Sequence, residues 1–166
     1  GQSEELRLPR HPKQDIGERV LPFEREIYID REDYMVDPPK GYKRLVPGGE
    51  VRLRGSYVIR ADEAITDADG NIVELLCSYD PDTLGKNPEG RKVKGVIHWV
   101  PANSSIECEV RLYDRLFNAA NPDKGEEGTT FLDNINPDSL QVLTGCRAEP
   151  SLADATLDDR FQFERE

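Results

Sequence analysis

The sequence predicts an all-β fold, and three observations lead to this class. Apolar and polar side chains alternate with a period of two over residues 51–59 and again over IECEVRL (106–112), as in strands that bury one face. The Asp-Gly pair of DADGN (67–71) supplies the positive φ of a tight hairpin turn. Helical periodicity is weak throughout. We therefore expect a mainly antiparallel architecture with a few short helices.

The individual elements follow from the same local patterns. Pro47-Gly48-Gly49 is expected to turn the chain just before the strand at 51–59, on one face of which Arg52 and Arg54 would project together. Short helices are expected at 129–135 and, capped by Ser151, within LADATLDD. The predicted strands, in chain order, are REIYID (25–30), residues 51–59, NIVELLCSY (71–79), KVKGVIHWV (92–100) and IECEVRL (106–112).

The chain has 166 residues and a formal net charge of -11, which permits one large or two small domains. An acidic total argues against nucleic acid as a partner, because phosphate binding relies on Lys and Arg. The charge is unevenly distributed, however. Residues 1–39 carry six basic and ten acidic groups, residues 40–122 carry twelve of each, and residues 123–166 carry four and eleven. The basic groups are therefore concentrated in the middle of the chain.

Several functional classes find no support in the sequence. Cys77, Cys108 and Cys146 are far apart and form no CxxC pair, so neither a zinc site nor a disulfide framework is indicated, and a reducing cytoplasm is expected. No stretch approaches the roughly 18 apolar residues of a membrane span, and residues 1–19 read as a polar linker. P-loop, GxGxxG and nucleophile-elbow motifs are absent. We predict no catalytic, cofactor-binding or metal-binding residues in this chain.

Two basic segments indicate an RNA-binding function. Residues 40–60 carry six cations against Glu50, and residues 86–98 carry four cations against Glu89. Basic groups on β-structure beside an aromatic residue such as Tyr42 are typical of barrels that hold unpaired bases. The alternative is that Arg52 and Arg54 are ordinary surface charges that pair with neighbouring acids.

Several long blocks resemble one known family. They are YKRLVPGGEVRLRGSYVIRAD (42–62), CSYDPDTL (77–84), GRKVKGVIHWV (90–100), EVRLYDRLF (109–117) and FQFERE (161–166). Together, and in this order, they are similar to the C-terminal anticodon-binding region of glutaminyl-tRNA synthetase, a class I aminoacyl-tRNA synthetase. The resemblance extends from about Pro12 to Glu166.

The resemblance implies two tandem antiparallel β-barrels. The distal barrel would occupy residues 40–118. The proximal barrel would be assembled from residues 20–39 and 119–166 and would be incomplete at its C-terminus, with residues 1–19 as the linker. The uneven charge distribution agrees with treating the middle segment as a unit.

The resemblance also implies which side chains bind the anticodon. In the family each anticodon base is unstacked and held in its own pocket. The matching motifs assign the third base to Lys43 and Arg44, the first base and its phosphate to Arg52 and Arg54, and the middle base to Gln162 and Arg165.

The implied function is recognition of the glutamine tRNA anticodon. The parent enzyme would join glutamine to its tRNA with ATP and Mg²⁺, as a cytoplasmic monomer. This chain contains none of the family's catalytic signatures, so it would be inactive alone, and its expected partner is tRNA rather than DNA or a membrane. Two alternatives remain open. The chain could be the tail of a glutamyl-tRNA synthetase or a ribosomal-type RNA-binding relative, or a protein-interaction module that uses the acidic segment 123–166.

Overall fold

The computed structural model of the chain describes residues 3–124 and 128–161. Over these ranges the regular structure consists of strands and short 3-10 helices of three or four residues. The strands are β1 (Ser3–Pro9), β2 (Glu18–Glu24), β3 (Ile27–Tyr28), β4 (Glu50–Leu53), β5 (Val58–Thr66), β6 (Ile72–Asp80), β7 (Val96–Ile97), β8 (Val100–Pro101), β9 (Ile106–Tyr113) and β10 (Leu140–Ala148). The 3-10 helices are η1 (Arg31–Asp33), η2 (Pro81–Thr83), η3 (Phe131–Asn134) and η4 (Pro150–Leu152). The predicted all-β class is confirmed.

The largest sheet in the described residues has the strand order β6-β5-β4-β7. The β5–β6 hairpin turns through DADGN as predicted: Gly70 has φ +83°, and the Asp67 carboxylate accepts the backbone N–H of Asn71 at 2.8 Å. β4 pairs with β5 in antiparallel fashion and with β7 in parallel. The remaining strands form the pairs β1-β2, β3-β8 and β9-β10. Small sheets of this kind are compatible with barrel-like anticodon-binding domains.

The predicted strand at 51–59 is wrong, because the chain reverses within it. β4 ends at Leu53 and β5 begins at Val58, with Gly55 at φ +67° and the Ser56 N–H donating to the Leu53 carbonyl at 2.9 Å. A tight turn can preserve the alternation of apolar residues, so periodicity alone does not reveal it. Arg52 therefore lies in β4 and Arg54 in the turn, and the two do not share one strand face.

The prediction of a polar linker over residues 1–19 is also wrong for its first half. β1 pairs along its whole length with β2, from Ser3 opposite Glu24 to Pro9 opposite Glu18. Leu6 and Leu8 are only 4% and 6% exposed. Two apolar residues at alternate positions are enough to bury one face of a short strand, and the charged residues between them gave the segment its polar composition.

The described residues pack into two compact units. One compact unit extends as far as Ile106 and takes in the chain again from Glu149, while the other is Glu107–Ala148. Within the first unit, residues from before and after position 40 share one hydrophobic cluster, which includes Leu6, Leu21, Tyr34, Leu45, Val51, Leu53, Ile59, Ile97 and Trp99. Burial of this shared apolar surface stabilises the first unit.

The unit Glu107–Ala148 contains β9, β10 and η3. The helix expected near 129–135 is η3, whose Asp133 carboxylate accepts the Thr130 N–H at 2.7 Å in a capping box. Outside this unit, the expected LADATLDD helix is reduced to the single turn η4, which precedes most of that segment. Ser151 lies inside η4 and is not its N-cap.

An aromatic cluster completes the core of the first unit. Phe23 contacts Tyr57, Tyr79 and Trp99 with ring centroids 5.1 to 5.6 Å apart. The Tyr57 hydroxyl donates to the Glu4 carboxylate at 2.8 Å, which ties β1 to the start of β5. Burial, and then the hydrogen bond to Glu4, raise the pKa of Tyr57 from 10.0 to about 12.

This pKa predicts a loss of stability in alkali. The unfolded chain releases the Tyr57 proton near pH 10, whereas the folded protein retains it to about pH 12, so the free energy of unfolding should fall between these pH values. Urea titrations of the wild type and Tyr57→Phe at pH 9, 10, 11 and 12 would measure it. The Phe variant should show a smaller decrease; equal decreases would contradict the assigned cause.

Candidate nucleic-acid interface

The two basic segments meet at one surface depression in the first unit, with a volume of about 290 Å³. Tyr42, Lys43 and Arg44 line it from the loop before β4, and Lys92 and Lys94 line it from the segment before β7. The remaining lining residues are Glu50, Val93 and Gly95. We call this surface the basic depression. It brings together side chains about fifty residues apart in the chain.

A close contact between main chains holds the two segments together. A Cβ atom built on Gly95 would lie 1.8 Å from the Lys43 carbonyl oxygen, so only glycine permits this approach. The Gly95 carbonyl in turn accepts the Arg52 N–H at 3.0 Å. Backbone contacts therefore set the separation between the lysines on opposite sides of the depression.

Arg44 is anchored by an ion pair. Its Nη1 lies 3.1 Å from Oδ1 of Asp33, whose side chain is 1% exposed, while the Arg44 side chain keeps 35% exposure. The Asp33 carbonyl also accepts the Leu45 N–H at 2.9 Å. A buried carboxylate requires a counter-charge, and a guanidinium can meet it with one edge and keep further donors for another partner. Arg44 thus combines a fixed position with an exposed part.

Arg52 is predicted to contact the anticodon, but its guanidinium hydrogen-bonds to the protein's own backbone. Its Nη1 donates to the carbonyls of Ser56 at 2.9 Å and Thr83 at 2.7 Å, and its Nη2 donates to the Lys86 carbonyl. These bonds tie the β4–β5 turn to the loop around η2. Arg52 does not line the basic depression.

The other predicted site residues are placed differently. Arg54 is exposed in the β4–β5 turn, where its N–H donates to the Ile97 carbonyl at 2.9 Å and its carbonyl accepts the indole N–H of Trp99 at 3.0 Å. Gln162 and Arg165 lie outside the described residues. The structure therefore brings Lys43 and Arg44 together but does not place Arg52 or Arg54 beside them in the depression.

Lys92 and Lys94 were not among the predicted site residues, although a signal for them was present. The excess of cations over residues 86–98 indicates this segment, but the family motifs assign the anticodon bases to other residues. A sequence does not show which cations form ion pairs with carboxylates, so it does not distinguish these lysines from Arg91. In the structure Arg91 is bound to carboxylates, with its Nε 2.8 Å from Glu50 and its Nη2 2.6 Å from Asp80. The Arg91 hydrogen bond holds the pKa of Asp80 below its usual value.

Neither a metal-holding cluster nor a membrane-spanning helix is present among the described residues. No group of three or more His, Cys, Asp or Glu side chains within them is placed to hold a metal ion. None of their helices has the length and apolar character needed to cross a bilayer.

Comparison with protein families identifies the family to which the chain belongs. Residues 1–80 and residues 96–166 each match a family described as "tRNA synthetases class I (E and Q), anti-codon binding domain". Together these matches cover most of the chain. The chain belongs to this anticodon-binding family. Its predicted membership is thereby confirmed.

Individual relatives are similar over the whole chain. It is 81% identical over 166 residues to the protein named glutamine--tRNA ligase of Pseudomonas syringae pv. tomato, and equally to that of Pseudomonas putida. The identity to the protein of the same name from Azotobacter vinelandii is 76%. This chain spans 29% of the length of the first two relatives and 30% of the third.

The close main-chain contact predicts that Gly95→Ala destabilises the domain. The added methyl group would displace the Lys43 carbonyl, a backbone atom that cannot rotate away, and should cost about 2 kcal/mol or more of unfolding free energy. Urea denaturation would measure it, with Val96→Ala, at a 45% exposed neighbour, as the control. Equal stability of Gly95→Ala and wild type would contradict the described approach.

The ion pair of Arg44 with Asp33 predicts a partial rescue. Arg44→Ala removes the guanidinium from a fully buried carboxylate and should reduce stability by about 2 to 3 kcal/mol. Adding Asp33→Asn removes the buried charge, so the double variant should be more stable than Arg44→Ala alone. Chemical denaturation of the wild type, both single variants and the double variant would measure the four unfolding free energies of this double-mutant cycle. A double variant less stable than Arg44→Ala would contradict the pairing.

Proposed function

We propose that this chain recognises the anticodon loop of glutamine tRNA within a glutamine–tRNA ligase. The observation that carries the proposal is the basic depression, which lies in a chain of the anticodon-binding family. On a protein with a net charge of -11, it places four cationic side chains around one aromatic residue. Glutamine is proposed as the amino acid because relatives with 76% to 81% identity are named glutamine--tRNA ligase.

The chemistry of the depression suits an unstacked base beside its phosphate. The Tyr42 hydroxyl donates to the Glu32 carbonyl at 2.9 Å, which holds the ring at the edge of the depression where a base can stack. Arg44 presents the planar donors that hydrogen-bond to base edges, and its pairing with Asp33 lowers the conformational cost of holding them there. Lys43 adds a further donor.

We assign the third anticodon base to Lys43 and Arg44. Glutamine and glutamate anticodons differ at this base, which is guanine in the former and cytosine in the latter. Guanine offers O6 and N7 as neighbouring acceptors for a guanidinium, whereas cytosine offers an amino donor at the corresponding position. A base without suitable acceptors would leave the donors of Arg44 unsatisfied, and this penalty discriminates against it.

The remaining assignments rest on the family motifs. Arg52 and Arg54 would serve the first base and its phosphate, and Gln162 and Arg165 would serve the middle base. Because Arg52 is bound to backbone carbonyls, Arg54 is the better candidate for direct contact, with Arg52 holding the turn that presents it.

The activity of the longer protein is part of the same proposal. This chain spans less than a third of the relatives named glutamine--tRNA ligase, so ligation with ATP and Mg²⁺ would be carried out by residues beyond this chain. The residues here would supply specificity. We propose a cytoplasmic location and a monomeric parent.

Binding to anticodon stem-loops tests the function. The wild-type chain should prefer the glutamine stem-loop to one with a glutamate anticodon and to one with a changed middle base, each differing by about 1 to 3 kcal/mol. Arg44→Ala should reduce the preference against the glutamate anticodon, because it removes the guanidinium assigned to the third base. Fluorescence anisotropy across a salt series would measure both effects.

Arg60→Ala is the matched control, because Arg60 is an exposed arginine paired with Asp62 at 2.7 Å outside the basic depression. It should retain the wild-type preference. Preference for the glutamate anticodon would identify a glutamyl-tRNA synthetase tail. Equal binding of all anticodons would favour ribosomal-type RNA binding, and no binding even at low salt would favour a protein-interaction module. Each of these outcomes would overturn the proposal.

A further inference from the structure

We infer that Lys92 and Lys94 bind the phosphodiester backbone of the RNA, so that affinity and base discrimination are carried by different residues of the basic depression. This inference rests on the proposed function and deepens it. The ligand class is the phosphate groups of single-stranded RNA adjacent to the base that Arg44 contacts. Lys92 and Lys94 are absent from the set of residues that the family motifs pointed to.

The first supporting observation is the pairing of cations. Within the described residues, Lys43, Lys92 and Lys94 make no ion pair, although the chain has 33 acidic residues against 22 basic ones. Several arginines, by contrast, are paired with carboxylates: Arg19 with Glu149, Arg44 with Asp33, Arg60 with Asp62 and Arg91 with Glu50. Unlike these arginines, the three lysines of the basic depression keep their charge for an external anion.

The second observation concerns the only acidic side chain among the described residues that line the depression. Glu50 is bound by Arg91, whose Nε lies 2.8 Å from one carboxylate oxygen and 3.1 Å from the other. Arg91 therefore neutralises Glu50 from outside the lining. The lysines keep their positive potential, and an approaching phosphate avoids the repulsion that an unpaired carboxylate would exert.

The third observation is the position of the two lysines. Both are exposed, both line the depression, and they are two residues apart in the chain, so their Cα atoms lie at most about 7 Å apart. Two ammonium groups at this spacing on one wall can each meet a separate phosphate. Lysine is a compact point charge without the planar fork that reads a base edge, so these side chains suit the backbone rather than the bases.

A second depression provides an internal comparison. It is lined by Glu50, Val58, Arg60, Ser78, Tyr79, Asp80, Pro81 and Arg91. Both of its arginines are engaged by carboxylates, Arg60 by Asp62 and Arg91 by Glu50 and Asp80. It has a similar size but little charge to offer an anion, so we place the phosphates at the first depression alone.

The test compares Lys92→Ala/Lys94→Ala with Arg44→Ala and with the control Arg60→Ala. Each phosphate contact on single-stranded nucleic acid contributes about 0.7 to the slope of log K against log salt concentration. For the two contacts together, the slope of log K against log salt concentration should be shallower by about 1.4 in the lysine double variant, which should bind about 25-fold more weakly at 0.1 M salt. The loss should be equal for the glutamine and glutamate stem-loops, because phosphates carry no sequence information. Lys92→Arg/Lys94→Arg should keep the wild-type slope.

The outcomes separate this inference from the function on which it rests. If Lys92→Ala/Lys94→Ala binds as tightly as the wild type and with the same salt slope, the inference is overturned and the proposed function is not. The same holds if this double variant loses as much anticodon preference as Arg44→Ala does. Failure of the wild type to bind any stem-loop overturns the proposed function, and the inference with it. Because both lysines are exposed, circular dichroism should confirm that the variants fold normally.

Discussion

The basic depression depends on the backbone pairing of β4. This four-residue strand pairs with β5 on one side and β7 on the other, and its Arg52 N–H bonds to the Gly95 carbonyl. These bonds bring the loop with Lys43 and Arg44 against the segment with Lys92 and Lys94. Both walls of the candidate site thus follow from main-chain hydrogen bonds, which water cannot easily replace once the flanking residues are buried.

The arginines and lysines of this unit have different tasks. Two arginines stabilise it from within, Arg44 through the buried carboxylate of Asp33 and Arg52 through carbonyls such as that of Thr83. Lys92 and Lys94 remain exposed. This division follows the chemistry of the two side chains: the guanidinium is weakly hydrated and directional, so it tolerates partial burial, whereas the ammonium group is strongly hydrated and stays at the surface. An acidic protein can therefore keep a local basic site without losing its internal ion pairs.

Much of the fold could be predicted from local patterns. The alternation in IECEVRL became β9, and the Asp-Gly pair at 69–70 became the β5–β6 turn. The errors arose where a local pattern is compatible with more than one structure. The turn at Gly55 interrupts an apparently continuous strand, and Leu6 and Leu8 bury one face of a segment that reads as polar.

The sequence by itself determined the all-β class, the membership in the anticodon-binding family and the two basic segments, because period, motif and charge are properties of adjacent residues. Only the tertiary structure decided which cations lie together and which are already paired. Lys92 and Arg91 are neighbours with the same charge, yet only Arg91 lies within reach of Glu50 and Asp80. Pairing depends on distances between segments that are remote in the chain, and these distances are set by the packing of the core and the approach of Gly95 to Lys43.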